Sequence, residues 1–250
     1  MADPRKVAVY CDSYLTSGAA NELAAGAFGT VVLPYHDAGD DMLRQNIQRL
    51  KSEGMVQNVL FSIRGDYRSI IVNKAEFKSN LAKAMSDYGI DGIDLDPEEV
   101  GPKYFDIVLE LTVWAAAMDK MVIASPSDEP QFWVAVLNAA GERMSWWNLQ
   151  LYNGADYSAW VCEIVESGAM PSELAQSFVV PGYKLTWSTP EAVAYELDTL
   201  KYNAAWLDGV FLRSYEELRP RAAEWSKAIW NGLGTSRAEV ERPWRALIAG

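Results

Sequence analysis

Three aspartates and two glutamates crowd into residues 89–100, GIDGIDLDPEEV, among isoleucine, leucine and valine. Taking a carboxylate out of water is costly, so the stretch is either a solvated turn or a site. Drawn out as a strand over residues 89–98, a period of two sends Asp94, Asp96 and Glu98 to one face and Ile93 and Leu95 to the other. Alternate residues then stand roughly 6 to 7 Å apart. Carboxylates this close in a low-dielectric interior cannot all ionise, so a proton is shared and the pKa of one member rises. A retained proton is what a general acid needs, and Glu98 ends the row. Pro97 would suit a solvated acidic turn, but the alternation of Ile93 and Leu95 argues against one. A calcium loop is excluded, because neither Asp91 nor Asp94 is followed by Gly at the sixth position and Glu at the twelfth.

The elements that must position these acids recur along the chain. Short apolar runs begin at Lys6, Thr30, Val56, Gly89, Lys120, Met144, Ser177 and Leu207, roughly 30 residues apart, which leaves room for a helix and two turns between neighbours. The stretches between them, such as DDMLRQNIQRLKSEG, EFKSNLAKAMSDYG and PRAAEWSKAIWNGLG, place apolar residues three and four apart and end in Gly. Eight such units in 250 residues fit a single-domain (β/α)8 barrel, with no linker dividing the chain. An open doubly wound sheet fits less well, since YCDSYLTSGAAN lacks the G-x-G-x-x-G turn of that fold. In a barrel, the acids of the fourth strand point inward and climb toward the C-terminal mouth. Residues 235–250 follow the eighth helix and are expected to pack across a barrel end.

Composition narrows the partners. With 34 Asp and Glu against 22 Lys and Arg, a net charge of -12 repels phosphate backbones and anionic lipid, so neither nucleic acid nor a membrane is expected to bind. One histidine, His36, and two distant cysteines, Cys11 and Cys162, give little with which to build a transition-metal site or a disulfide framework. No metal or cofactor is expected. The segment MADPRKVAVYCDS carries no apolar run after a basic start. That points to the cytoplasm for the chain as it stands, and to export if a leader has been removed.

The run DGIDLDPE resembles the D-G-x-D-x-D-x-E signature that glycoside hydrolase family 18, the chitinases and endo-β-N-acetylglucosaminidases, carries on the fourth strand of a (β/α)8 barrel; Asp91, Gly92, Asp94, Asp96 and Glu98 match. FSIRG is similar to that family's third-strand S-x-G-G, LQLYN to the Q-x-Y-N of hevamine-like members, and GVFLRSYEEL to the strand that closes the barrel. The resemblance implies a retaining glycosidase in which the 2-acetamido group of the substrate is the nucleophile and no cofactor is needed. It implies that Glu98 protonates the glycosidic oxygen and then serves as base toward water, that Asp96 polarises the acetamido N–H, and that Asp94 shares a proton with Asp96. Tyr152, two residues past Gln150 and so on the same strand face, would place its hydroxyl on the acetamido oxygen. Asp91 has the opposite parity and is expected to hydrogen-bond near the strand's start. Gly92 is likewise structural.

Other residues have competing readings. Gln150 and Asn153 either contact sugar, orient Tyr152, or are buried amides that satisfy backbone. His36, Asp37 and Ser62 fall near strand ends and could face substrate. Trp187 and Trp147 are candidates for a stacking platform, whereas Trp114, Trp225 and Trp230 sit in helical stretches and read as packing. The chain departs from the resemblance where many chitinases end the eighth strand in Trp, because Arg213 stands there. Endo-β-N-acetylglucosaminidases lack that Trp and have a Tyr soon after, as Tyr215 does here, and Tyr88-Gly89 before the acidic motif is also like theirs. Arg64, in place of a small residue, brings a cation that would pair with the acids and lower their pKa values.

The function expected is hydrolysis of β-1,4 bonds next to N-acetylglucosamine, in chitin oligomers or in the core of an N-glycan. A sugar-binding protein that does not cut, and a barrel recruited to other chemistry through Arg64 and Arg213, are the alternatives.

Overall fold

In the computed structural model, which describes residues 6–219 and 221–234, each apolar run contains a strand. The strands are β1 (Lys6–Tyr10), β2 (Thr30–Pro34), β3 (Asn58–Gly65), β4 (Gly92–Pro97), β5 (Met121–Ala124), β6 (Trp146–Leu149), β7 (Val179–Lys184) and β8 (Gly209–Arg213). All pair in parallel in chain order, and β8 closes on β1 through Lys6 opposite Gly209 to Tyr10 opposite Arg213. This is a closed (β/α)8 barrel, as the spacing of the runs led one to expect.

Eleven α-helices accompany the strands in the described residues: α1 (Ser17–Ala25), α2 (Asp41–Glu53), α3 (Tyr67–Val72), α4 (Lys74–Tyr88), α5 (Phe105–Ala116), α6 (Pro130–Ala140), α7 (Tyr157–Glu166), α8 (Ser172–Phe178), α9 (Pro190–Asn203), α10 (Tyr215–Leu218) and α11 (Ala222–Leu233). Side-chain caps mark several starts, as where Asp40 accepts from the backbone N–H groups of Met42 and Leu43 to begin α2. The regular βα beat is broken three times. Two helices follow each of β3, β6 and β8. The tail expected to pack on a barrel end, residues 235–250, lies outside the described residues.

Both faces of the strands are covered, which is why runs such as VAVY and VVL are continuously apolar. Alternation sorts the faces. On β6, Trp147 and Leu149 meet the helices, while Asn148 points into the barrel and bonds to Tyr10 of β1. Inside, Phe211 of β8 fills space that only a glycine on β7 leaves open, since a Cβ at Gly182 would fall 2.0 Å from its ring. Gly92 is required for a similar reason: a Cβ there would lie 2.1 Å from the carbonyl oxygen of Met121 on β5. That close approach sets β4 against β5 just below the acids.

Candidate functional site

The strand that carries the acids is shorter than the motif suggests. β4 ends at Pro97, so Asp94 and Asp96 share its inward face while Glu98 lies just past it, exposed at the barrel mouth, its N–H bonded to the carbonyl of Gly65. The expected ladder of three carboxylates on one strand is thus a buried pair with a solvent-facing glutamate beyond it. Pro97 explains the break: it offers no N–H to continue the ladder.

Asp94 is 0% exposed. The Ser62 hydroxyl donates to its Oδ2 at 2.9 Å and the Ser125 hydroxyl to its Oδ1 at 2.7 Å. Behind Ser125 runs a directed chain. Trp146 Nε1 donates to Asn148 Oδ1 (2.9 Å), Asn148 Nδ2 to Tyr10 Oη (2.6 Å), and Tyr10 Oη lies 2.6 Å from Ser125 Oγ, whose own proton is committed to Asp94. Burial and the neighbouring charge of Asp96 raise the Asp94 pKa to about 7, more than the two serines lower it. Asp94 therefore retains a proton well into the neutral range.

Asp96 has a different set of neighbours. Gln150 Nε2 donates to its Oδ1 at 3.2 Å and to the Ser125 carbonyl at 2.5 Å, and Asn153 Nδ2 holds Gln150 through its Oε1 at 2.8 Å. On the other side, Arg213 Nη1 stands 3.5 Å and Arg64 Nε 3.7 Å from Oδ2. Burial is the largest influence and raises the Asp96 pKa; the two arginines oppose it without overturning it. The expectation that Arg64 would lower the pKa of the acids holds for its sign alone. Desolvation outweighs it.

Arg213 is 8% exposed and donates to Asp12 Oδ1 at 2.9 Å, and Arg64 also approaches that oxygen, at 3.7 Å. Burial alone would drive the Arg213 guanidinium toward neutrality, but Tyr152, Asp12 and Asp96 around it hold it charged. Glu216 fixes the loop that carries Asp12 by accepting from the N–H groups of Asp12 and Ser13. The Arg213–Ser214 peptide bond is cis.

Tyr152 does not share a strand face with Gln150. β6 ends at Leu149, and Tyr152 belongs to a single 3₁₀ turn, Leu151–Asn153. The turn still directs the ring inward, edge-on to Phe211 with centroids 6.2 Å apart. Its hydroxyl is buried without a hydrogen-bond partner among the described residues, close to the Arg213 guanidinium, and burial pushes the phenol pKa up.

Several expected residues stand elsewhere. Tyr215 is buried and donates to Glu22 on α1, away from the acids, because α10 turns back toward the outer layer as soon as β8 ends. Trp147 is no platform: it is fully buried on the outer face of β6 against Trp133, Trp160 and Phe178. Trp187 lies in the 3₁₀ turn after β7. Asp91, just before β4, accepts from the N–H of Val59 and from Lys51, both at 2.7 Å. Ser125, Tyr10, Asn148 and Asp12 belong to the site and were not singled out from the sequence. Ser125 immediately follows β5 and Asp12 stands two residues past the end of β1, which was the available signal.

A cleft of about 650 Å³ opens beside the acids, with Ser62, Arg64 and Arg213 in its lining. Its other walls come from the ends of β1 and β2 and from the α3–α4 segment. Among the described residues no cluster of three or more His, Cys, Asp and Glu could hold a metal ion, and no helix is long and apolar enough to cross a membrane.

Comparison with protein-family models gives no match, and comparison with curated proteins gives none either. Among solved structures, the chain is similar to catalytic-site mutants of active domain 2 of a thermostable chitinase from Pyrococcus furiosus complexed with chito-oligosaccharides, at 11% identity and a TM-score of 0.57 over 85% of both chains. It is also similar to dihydrodipicolinate synthase from Bacillus clausii, at 12% identity and a TM-score of 0.53 over 97% of this chain and 79% of that one. A third likeness is to thiamine phosphate pyrophosphorylase from Pyrococcus furiosus, at 14% identity and a TM-score of 0.51 over 93% and 99%. What they share with this chain is the barrel.

Proposed function

We propose that the protein is a retaining glycoside hydrolase that cleaves β-1,4 bonds next to N-acetylglucosamine with the substrate's 2-acetamido group as nucleophile. The observation that carries this reading is the Asp94–Asp96 pair: one carboxyl keeps its proton to about pH 7 because burial and the neighbouring Asp96 charge outweigh two serine hydroxyls that donate to it, the other is oriented by Gln150, and Glu98 stands open to solvent two residues further on. Glu98 donates its proton to the glycosidic oxygen as the bond to C1 breaks. Asp96 accepts the acetamido N–H, which drives the carbonyl oxygen onto C1 to give an oxazolinium ion. Tyr152, whose hydroxyl has no hydrogen-bond partner among the described residues, offers a donor to that acetamido group. Glu98, now a carboxylate, takes a proton from the water that opens the ring, and the β configuration is retained.

The test is product release from N-acetylglucosamine oligomers and from a high-mannose glycopeptide, with the anomer of the fresh product recorded, for wild type beside Glu98→Gln. Loss of a general acid costs about 10² to 10⁴ in rate. Glu98 is exposed and makes no side-chain hydrogen bond in the described structure, so the variant should fold and bind as before. Cleavage of both substrates undiminished in Glu98→Gln would refute the role given to Glu98.

Arg213 favours a second reading, a sugar-binding protein that does not cut. Its guanidinium sits against Asp96, the carboxylate that the substrate's N–H would need. Binding of the same oligomers by a folded wild-type protein that releases no product selects this reading.

A further inference from the structure

Beyond β3 the chain inserts α3 before α4, and one stripe of this pair lines the cleft: Asn73, Glu76, Phe77 and Asn80 recur at three and four residue spacing. Arg64 and Tyr35 face the same space from the ends of β3 and β2. The side chains of Arg64, Asn73, Glu76 and Asn80 make no hydrogen bond in the described structure; Arg64 is 57% exposed and its nearest carboxylates are 3.7 Å away. The cleft therefore presents planar polar groups, with donors and acceptors uncommitted, interleaved with the Tyr35 and Phe77 rings, which meet edge to face at 5.9 Å. The charges around it select the ligand. Asp12, Asp66 and Glu76 disfavour an anion, and Arg64 and Arg213 disfavour a cation. What suits such a surface is a neutral, polyhydroxylated chain, its hydroxyl pairs on the planar groups and its C–H faces on the rings.

We infer that the α3–α4 wall is an extended saccharide subsite that grips several sugar units on one side of the acids, with Asn73 and Asn80 as specificity-determining residues; this rests on the glycosidase reading. About 10 Å separates Asn73, the N-cap of α4, from Asn80 two turns into that helix, so the two amides reach different units of one chain. A volume of about 650 Å³ accommodates more than a single sugar. The grip therefore lies on a helical wall, in a barrel whose eighth strand ends in Arg213 in place of an aromatic floor.

The test is calorimetric binding of the N-acetylglucosamine dimer and tetramer to wild type and to the Asn73→Ala/Asn80→Ala double variant. Wild type should bind the tetramer about ten-fold more tightly than the dimer, and the double variant should lose most of that difference. Equal affinity for dimer and tetramer in wild type, or an undiminished ratio in the double variant, overturns the inference. Neither amide caps a helix through its side chain or bonds within the fold. Should the double variant fail to fold, Asn80→Ala, an exposed mid-helix change toward the better helix former, serves alone and should lower the ratio in the same direction. Binding is read without turnover. A protein that shows the length preference but cuts nothing keeps this inference and loses the hydrolase reading, while cleavage without length preference does the reverse.

Discussion

Arg213 at the end of β8 reaches Asp96 on β4, Nη1 to Oδ2 at 3.5 Å, so strands on opposite sides of the barrel are joined by charge across its mouth. Both side chains are nearly buried, and Arg213 also serves Asp12. Cutting such a link leaves a desolvated carboxylate without its cation, which costs more than the link itself contributes.

Arg213→Gln should therefore destabilise the protein by about 3 kcal/mol near neutral pH, the low end for a broken buried pair because Asp12 is partly open to water. The loss should shrink as pH falls. Without Arg213 the Asp96 pKa climbs further, and protonation then relieves the uncompensated charge. Urea midpoints of the variant and wild type at pH 5 and pH 8 give the comparison. An equal loss at both pH values would mean that Arg213 acts by packing.

Asp94 makes stability depend on pH in a direction opposite to that of most carboxylates. Its folded pKa of about 7 lies above the ordinary 3.8, so between those values the folded state binds more protons than the unfolded chain. Its contribution is complete below the lower value and is lost as pH rises through the upper one. Asp94→Asn, whose amide can still accept from one serine and donate to the other, should flatten this part of the profile. Unfolding free energies measured across that window decide it, and an unchanged slope would place the retained proton elsewhere.

The barrel was legible because the strands are covered on both faces, so most of their runs are largely apolar, and because the runs recur at similar spacing. The pair Asp94 and Asp96 was legible from alternation against Ile93 and Leu95. Glu98 was placed on the strand because parity carries no information about where a strand ends; Pro97 was the warning. The placement of Tyr152 on the β6 face differs for the same reason, β6 stopping at Leu149. The support of Asp94 by Ser125, Tyr10 and Asn148 joins residues more than a hundred positions apart, which only closure of the barrel brings together. Arg213 was noticed as a departure, but its engagement of Asp12 depends on the pairing of β1 with β8.

Trp147 tests the assignment of faces on β6. It is fully buried with three aromatic neighbours, Phe178 nearest at 5.2 Å between ring centroids, and its face is opposite to that of Asn148. Trp147→Ala should cost about 3 to 5 kcal/mol, as for large aromatics removed from a core. Thermal or urea unfolding reads the loss. A stable variant with weakened oligosaccharide binding would instead return this residue to the sugar platform.

Gly92 makes a sharper demand, because what a side chain would meet there is backbone. A Cβ at this position would fall 2.1 Å from the Met121 carbonyl oxygen, and that carbonyl cannot swing away without breaking the pairing of Gly92 with Met121 on β5. Gly92→Ala adds a single methyl group to a residue with an ordinary backbone conformation, so strain in φ is not the cause. Moving β4 away from β5 would also draw Asp94 off Ser125, which immediately follows β5 and holds its Oδ1. The variant should therefore lose stability and, where it still folds, show an Asp94 pKa raised further, because the Ser125 hydroxyl that lowers it is drawn away. Unfolding midpoints and a carboxyl titration by NMR read the two effects together. Full stability with an unshifted Asp94 would show that the β4–β5 contact is looser than a 2.1 Å approach permits.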